Sequence, residues 1–275
     1  MTTTAHHRDD GVMVIRNGEI AFTLWVPSSG RSRLFATNPF LPIANVCVDE
    51  TEHDEYAKNF RAAEVKPGSI QTHNISGNLA AIHNAILDKM RPEEESFLMS
   101  VDDDISGMIY MMTVSSRRSK IRDIPRILEI WMSSFVAARD IGSGLFYYAQ
   151  TPIPSKRRSY IPFSLRNWGH DDMMGYLDPL GVRCDETLLV KEDIDICLTN
   201  IAKNKVAFQD NRYAVLASSY STNRVGGDTG GPAATRLTST EHDAVSFLKV
   251  KWGENIISPG KNRGAGTSVT VHVPK

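Results

Sequence analysis

The sequence predicts an α/β protein with a mainly parallel central sheet flanked by helices and a smaller mixed sheet alongside it. Three observations predict this. Short apolar runs alternate with helical patterns along the first half, the order that lays crossover helices on a parallel sheet. One of these runs, Phe97–Val101 (FLMSV), passes directly into Asp102-Asp103-Asp104, and open α/β sheets bind ligands at the carboxyl ends of their strands. Finally, 275 residues, 41% hydrophobic and 23% charged, suffice to bury a sizeable core.

In chain order, Ile20–Val26 (IAFTLWV) and Ile43–Val48 (IANVCV) read as buried strands. Thr51 with Asp54 resembles an N-cap, opening a short helix over Asp54–Phe60. Ser76 caps a longer helix whose Leu79, Ile82, Ile86 and Met90 share one face, and Pro92 stops it. After the FLMSV strand, Asp123 and Pro125 start a helix through about Ala138, with Ile127, Ile130, Trp131 and Ser134 on its buried face. Leu145–Gln150 is β-prone, and the three prolines within 151–166 make that stretch a loop or edge. Glu192–Ile201 is helical, and Val206–Phe208 and Tyr213–Ala217 are late strands. Thr238 with Glu241 forms a capping box for a helix through about Lys251, and Ser268–Val273 is a last strand. Residues 1–275 then form one domain, with a first half over about 12–110, a second over about 111–258 and a basic segment over 259–275.

Composition excludes several classes. Lys+Arg 31 against Asp+Glu 32 gives a net charge of −1, so the chain does not simply coat nucleic acid, although a local basic groove stays open. Cys47, Cys184 and Cys197 form no CxxC pair, which excludes a zinc ribbon or disulfide framework and fits a reducing cytoplasm. The N-terminus, MTTTAHHRDDG, lacks an apolar h-region and reads as a polar, disordered tail rather than a secretory signal. No apolar run is long enough to span a membrane.

The Asp triplet is the strongest local feature. Adjacent carboxylates at a strand end repel one another, and a divalent cation such as Mg²⁺ or Mn²⁺ relieves that repulsion. An exposed acidic turn is the plain alternative. Glu192-Asp193, followed by Asp195, reads equally as helix chemistry, since acids near a helix N-terminus favour the macrodipole. Single histidines such as His83 and His170 read as structural or exposed, and His272 as a surface residue of the TVHV strand. PGKNRGAG could hold phosphate through Lys261, Arg263 and loop amides, or be a solvated loop. GGDTGG is not followed by the Lys and Ser/Thr of a phosphate-binding loop.

Taken in order, these segments resemble GT-A fold glycosyltransferases. ISGNLAAIHNAILDKMRPEEESFLMSVDDD is similar to their stretch from a glycine-containing helix start, through a helix asparagine, Asn84, to a strand and the DxD motif, Asp102-x-Asp104. GVRCDETLLVKEDIDICLTNIAKNKVAF is similar to their later acidic segment, with Asp185-Glu186 and then Glu192-Asp193. The usual arginine before the helix asparagine is replaced by His83. VCVDETEHDEYAKNF and VGGDTGG…STEHDAVSFLKVKWGENI further resemble the bacteriophage TET-associated DNA glycosyltransferases.

The resemblance implies transfer of a sugar from a UDP-sugar to a 5-hydroxymethylpyrimidine, foremost 5-hydroxymethylcytosine, in DNA. It implies that Asp102, Asp103 and Asp104 bind ribose and metal, that His272 completes the Mn²⁺ or Mg²⁺ shell, and that Asp49 or Glu50 meets the uridine. Asn84 adds a donor contact, and Lys261 and Arg263 steady the leaving diphosphate. Asp193, with Glu192 beside it, supplies the general base. Lys156, Arg157, Arg158 and Arg166, with Arg117, Arg118, Lys120 and Arg122, are candidate DNA-phosphate contacts. Tyr160, Phe163 and Trp168 are candidate base-stacking groups. Alternatives are a glycosyltransferase with a polysaccharide, protein or small-molecule acceptor, and a non-catalytic nucleotide-sugar binder. A nucleotidyltransferase would carry an N-terminal GxGxR…PK motif, which this sequence lacks.

Overall fold

A computed structural model describes residues 3–8, 11–16, 20–35, 38–112, 119–149, 161–170, 172–177, 181–217, 238–259 and 269–273. In chain order the first elements are β1 (Thr3–Arg8), β2 (Gly11–Arg16), β3 (Ile20–Pro27), α1 (Ser32–Phe35), β4 (Asn45–Asp49), α2 (His53–Ala62), β5 (Ser69–His73), α3 (Leu79–Leu87) and β6 (Phe97–Val101). There follow β7 (Ile105–Tyr110), β8 (Ser119–Ile121), α4 (Ile124–Asp140), β9 (Leu145–Ala149), β10 (Phe163–Ser164) and β11 (Met173–Tyr176). The last are α5 (Glu192–Asn204), β12 (Phe208–Ala217), α6 (Thr238–Trp252), β13 (Ile257–Pro259) and β14 (Val269–Val271).

The fold is α/β, as the alternation predicts. Strands β5, β4, β3 and β6 lie side by side and parallel, so their carboxyl ends share one edge. Beyond β6 the same sheet continues through β11, β9, β12, β7 and β8 with mixed directions. The mixed part is therefore continuous with the parallel part, and among the described residues β13 and β14 form a separate sheet. The chain leaves the parallel part directly after the Asp triplet, because β7 pairs with β12 and not with β6.

Strand β6 shows why a continuous apolar run sits centrally. Phe97, Met99 and Val101 pack into the core on one side of the sheet, with Phe22, Trp131 and Phe135. Leu98 faces the other side, with Ala80 and Ile86 of α3 and Ile196 and Cys197 of α5. Two-sided burial favours apolar residues, and Ser100 is the one polar residue of this strand. Each fully buried Leu or Phe contributes about 1.5–3 kcal/mol.

Several local expectations are corrected. The N-terminal tail is not disordered: Thr3–Arg8 pairs antiparallel with Gly11–Arg16. Asn78 rather than Ser76 caps α3, accepting from the Ala81 amide. Asp49, accepting from the Thr51 amide, caps the short 3₁₀ turn ahead of α2, so the Thr51–Asp54 cap does not form. The two late strands are one, β12, with a register shift between Asp210 and Ala214 where it pairs with β9. Asp123 does cap α4, through the Arg126 amide. The three cysteines are buried and free. Among the described residues no helix is long and apolar enough to cross a membrane.

Candidate functional site

The carboxyl edge of the parallel strands gathers Ser28 after β3, Asp49 at the end of β4, His73 at the end of β5 and the Asp triplet after β6. Asp103 is the fixed member of the triplet. Its Oδ2 accepts from Ser28 Oγ at 2.6 Å, and its Oδ1 accepts from the Arg31 guanidinium at 2.7 Å. Tyr56 hydroxyl lies 2.6 Å from Ser28 Oγ and accepts from the Arg31 amide at 3.2 Å. Asn38 Nδ2 donates to the carbonyls of Asp103 and Ile105, pinning the turn. Asp103, expected among the donor-binding groups, is thus committed to the chain's own donors.

Arg31 is the signal that sequence reasoning missed. Burial works against its charge, but Asp103, and more weakly Asp104 and Asp102, hold its pKa above the ordinary value. Burial, and then Asp103, push the Asp104 carboxyl above the usual range. Carboxylate oxygens of this kind, crowded at a strand end, are the hard donors that suit a divalent cation. Three such ligands are not brought together. No group of three or more His, Cys, Asp or Glu positioned to hold a metal occurs among the described residues, so the set Asp102, Asp104 and His272 does not form there. His272 instead lies beside β13, its Nε2 2.9 Å from Ser258 Oγ and its amide donating to the Ile256 carbonyl.

Asn84 is also committed to the protein. Its Nδ2 donates to the Cys184 carbonyl and to Glu186 Oε1 at 2.8 Å, and its Oδ1 accepts from the Cys184 amide. It ties α3 to the Cys184-Asp185-Glu186 segment, and Asn78 Nδ2 adds a bond to the Glu186 carbonyl. Asn84 is a bridge from α3 to a sequence-remote acidic segment, its side-chain amide bonded within the protein. Asp49 accepts from the hydroxyl and amide of Thr51, which hold its pKa below the ordinary range, and Glu50 is exposed beside it.

The acceptor-side acids sit at the start of α5. Glu192 and Asp193 are buried. The preceding residue, Lys191, has φ of +64°, an unusual backbone for a residue with a side chain, and its ammonium pairs with Glu241 of α6. Asp195, fully buried, accepts from Lys251 Nζ at 2.8 Å and from Trp252 Nε1 at 2.7 Å; the same Lys251 reaches Asp185 at 2.9 Å. Helix α6 thereby holds the first turn of α5 at two points.

His170, read from sequence as structural or exposed, is the missed partner here. Its Nδ1 lies 2.6 Å from Asp193 Oδ2, while Asp193 Oδ1 accepts from the Ile194 amide at 2.8 Å. Burial alone would raise the Asp193 pKa, but the bond and charge of His170, the Ile194 amide and Lys191 outweigh it and hold the carboxyl below the usual range. The pair stands at the same edge as the triplet. Strand β11 runs antiparallel to β6 with Met173 opposite Val101, and the Asp102 amide donates to the Asp172 carbonyl at 3.0 Å.

The predicted DNA contacts divide. Lys156, Arg157, Arg158, Tyr160, Arg117 and Arg118 lie outside the described residues, as do Lys261, Arg263 and the GGDTGG loop. Arg166 is exposed on the loop after β10, which pairs with β12, and Lys120 is on β8, the last strand of the sheet path, two strands beyond β12. Phe163 stacks on Phe208 and beneath the Arg212 guanidinium, and Trp168 packs between two core clusters and edge-on to His170.

No protein-family model matches the chain, the TET-associated family included, and no curated protein matches it. Among solved structures, the 1–349 fragment of S. aureus TarS is similar at a TM-score of 0.44 and 10% identity, over 85% of this chain and 72% of that one. The same fragment in complex with UDP gives 0.42 and 12% over 85% and 72%, and a longer S. aureus TarS chain 0.41 and 11% over 83% and 39%. Likeness at these values assigns neither substrate nor site.

Proposed function

We propose that the chain is a nucleotide-sugar glycosyltransferase using a UDP-sugar donor. The observation that carries this reading is the Asp102 amide to Asp172 carbonyl bond, which sets the segment holding His170 against the strand end holding the Asp triplet. Carboxylates suited to a cation-bound diphosphate lie, in this reading, at the same sheet edge as an acid–base pair suited to a hydroxyl. In this reading Asp49 and Glu50 meet the uridine, and Asp102 and Asp104 hold Mn²⁺ or Mg²⁺. That cation would supply Lewis-acid stabilisation of the departing diphosphate. Lys261 and Arg263 add positive charge to the same phosphates. Acceptor activation involves the start of α5, where Asp193, beside Glu192, meets His170.

The finer reading makes the acceptor a 5-hydroxymethylpyrimidine in DNA. It rests on the order of sequence motifs, with Lys156, Arg157, Arg158 and Arg166 neutralising phosphates and the modified base unstacked toward the site. The net charge of −1 favours a second reading, in which the hydroxyl belongs to a carbohydrate, a protein or a small molecule. One experiment separates them: incubation with Mn²⁺, a UDP-sugar panel and hydroxymethylcytosine DNA, followed by mass spectrometry of the nucleosides. A hexose added to hydroxymethylcytosine supports the DNA acceptor. UDP release with unmodified nucleosides transfers support to the other acceptors, and no UDP release from any donor contradicts the transferase.

A further inference from the structure

We infer that His170 is the group that takes the acceptor's hydroxyl proton, and that Asp193 is its positioning residue; the inference rests on the transferase reading above and deepens it. Three features of the pair carry it.

Asp193 is occupied. Its Oδ1 accepts from the Ile194 amide and its Oδ2 is 2.6 Å from His170 Nδ1. An ionised carboxylate only accepts hydrogen bonds, so Nδ1 carries the proton toward it and the ring's lone pair lies on Nε2. The two side chains also differ in access. That of His170 is 41% exposed and that of Asp193 is 11% exposed, so an incoming hydroxyl meets imidazole before carboxylate.

The ring is held from the same helix that holds the carboxylate. The Gly169 amide donates to Cys197 Sγ of α5 at 3.4 Å, and Trp168 contacts the imidazole edge-on, with ring centroids 4.9 Å apart. Any side chain at Gly169 would strike the ring of Tyr147, whose hydroxyl donates to the Asn167 carbonyl. Trp168-Gly169-His170 is therefore a seated segment. Among the described residues, the charged groups near the pair include Lys191, matched by Glu241, Asp172 two residues past His170, and on the same helix turn Glu192 and Asp195, the latter matched by Lys251.

The third feature is place. Asp172, two residues past His170, accepts from the Asp102 amide, which keeps His170 near the strand end that carries the proposed diphosphate site. In the step, Nε2 takes the acceptor's O–H proton as that oxygen bonds to the sugar anomeric carbon. The bond from that carbon to the diphosphate oxygen breaks, and its electron pair leaves on UDP. Asp193 stabilises the imidazolium, which then loses its proton to solvent. An imidazole with an ordinary pKa of about 6.5 is better matched to neutral pH than a carboxylate near 4.

The test has two readouts on the full chain. Turnover of the UDP-sugar that the donor panel identifies is measured against pH for wild type, His170→Gln and Asp193→Asn, with UDP affinity by calorimetry. We expect His170→Gln to lose turnover by about 10²–10⁴-fold and to lose the acid limb of the profile, with UDP affinity kept. Asp193→Asn should shift that limb to lower pH, because the imidazolium loses its anion. His170→Gln keeping more than about a tenth of turnover, with a limb near pH 4, makes Asp193 the base and overturns the inference. Nitrogen-15 NMR of the wild-type imidazole reads the tautomer without turnover: protonated Nδ1 supports the assignment, and protonated Nε2 with bare Nδ1 overturns it. Failure of the wild type both to bind UDP and to turn over any donor overturns the transferase reading itself.

Discussion

At the end of β6, three carboxylates follow one another, and Asp103 bonds the Arg31 guanidinium while Asp104 and Asp102 act on it through their charge. At the start of α5, by contrast, Asp193 is matched by His170, and Asp195 by Lys251 and Trp252. The two regions carry similar acid and treat it in opposite ways. In the first, burial and then the neighbouring Asp103 charge raise the Asp104 pKa, so ionisation of that carboxyl is opposed by its surroundings. The second closes its charge internally, which lowers the Asp193 pKa and fixes side chains in place. An unbalanced cluster suits binding, and a balanced one suits the positioning of a reacting group.

The largest effect should come from breaking the balanced side at its working pair. Asp193→Asn should lower turnover by about 10²–10⁴-fold with UDP affinity retained, measured by UDP release and calorimetry. The same change removes a charged hydrogen bond and should cost about 1.5–3 kcal/mol, seen in chemical denaturation. Its pH dependence has a definite sign. Because the folded pKa of Asp193 is depressed, its stabilisation is full above the ordinary carboxylate pKa of about 4 and is lost as pH falls through the lower folded value.

Much of the first region was legible in the sequence, and little of the second. FLMSV followed by three acids is a buried strand running into an unhidden charge problem, and both parts are local. The Asp123 cap and the apolar face of α4 are local for the same reason. Arg31 was not legible, because its partner Asp103 lies far along the chain, in the turn after β6. The dyad was not legible either, since His170 meets Asp193 only after β11 turns back antiparallel beside β6. A histidine in a loop has no periodicity to betray it, and the one available cue was Gly169 between Trp168 and His170. The β1–β2 hairpin was hidden by its polar first strand, although Asp10-Gly11 ahead of an apolar run is a turn signal.

A comparable loss of stability, without direct chemical loss, should follow from Lys251→Met. It leaves Asp195 buried with only the Trp252 donor, and removing one partner of a buried pair costs about 3–5 kcal/mol. Adding Asp195→Asn should recover most of that, because the stranded charge goes with it. Failure of the double variant to recover would mean that the pair is not what couples α6 to α5.

On the unbalanced side the sign reverses. Asp104→Asn should stabilise the cation-free protein by about 0.5–1 kcal/mol, or ~1–4 °C, by removing a carboxylate whose ionisation is opposed by burial and by Asp103. Mn²⁺ should then raise the melting temperature of the wild type and not that of the variant. The smallest effect concerns His272. Since it pairs with Ser258, His272→Ala should leave cation-dependent UDP affinity within about twofold, whereas a loss of about 10-fold or more would bring it into the metal site.

The most direct measurement of the central claim is calorimetric titration of UDP with and without Mn²⁺ into the wild-type protein and Asp104→Ala. A donor site at the carboxyl edge of β6 predicts that Mn²⁺ tightens UDP binding in the wild type and that the substitution abolishes this gain. UDP binding that ignores Mn²⁺ and is unchanged in Asp104→Ala would contradict it.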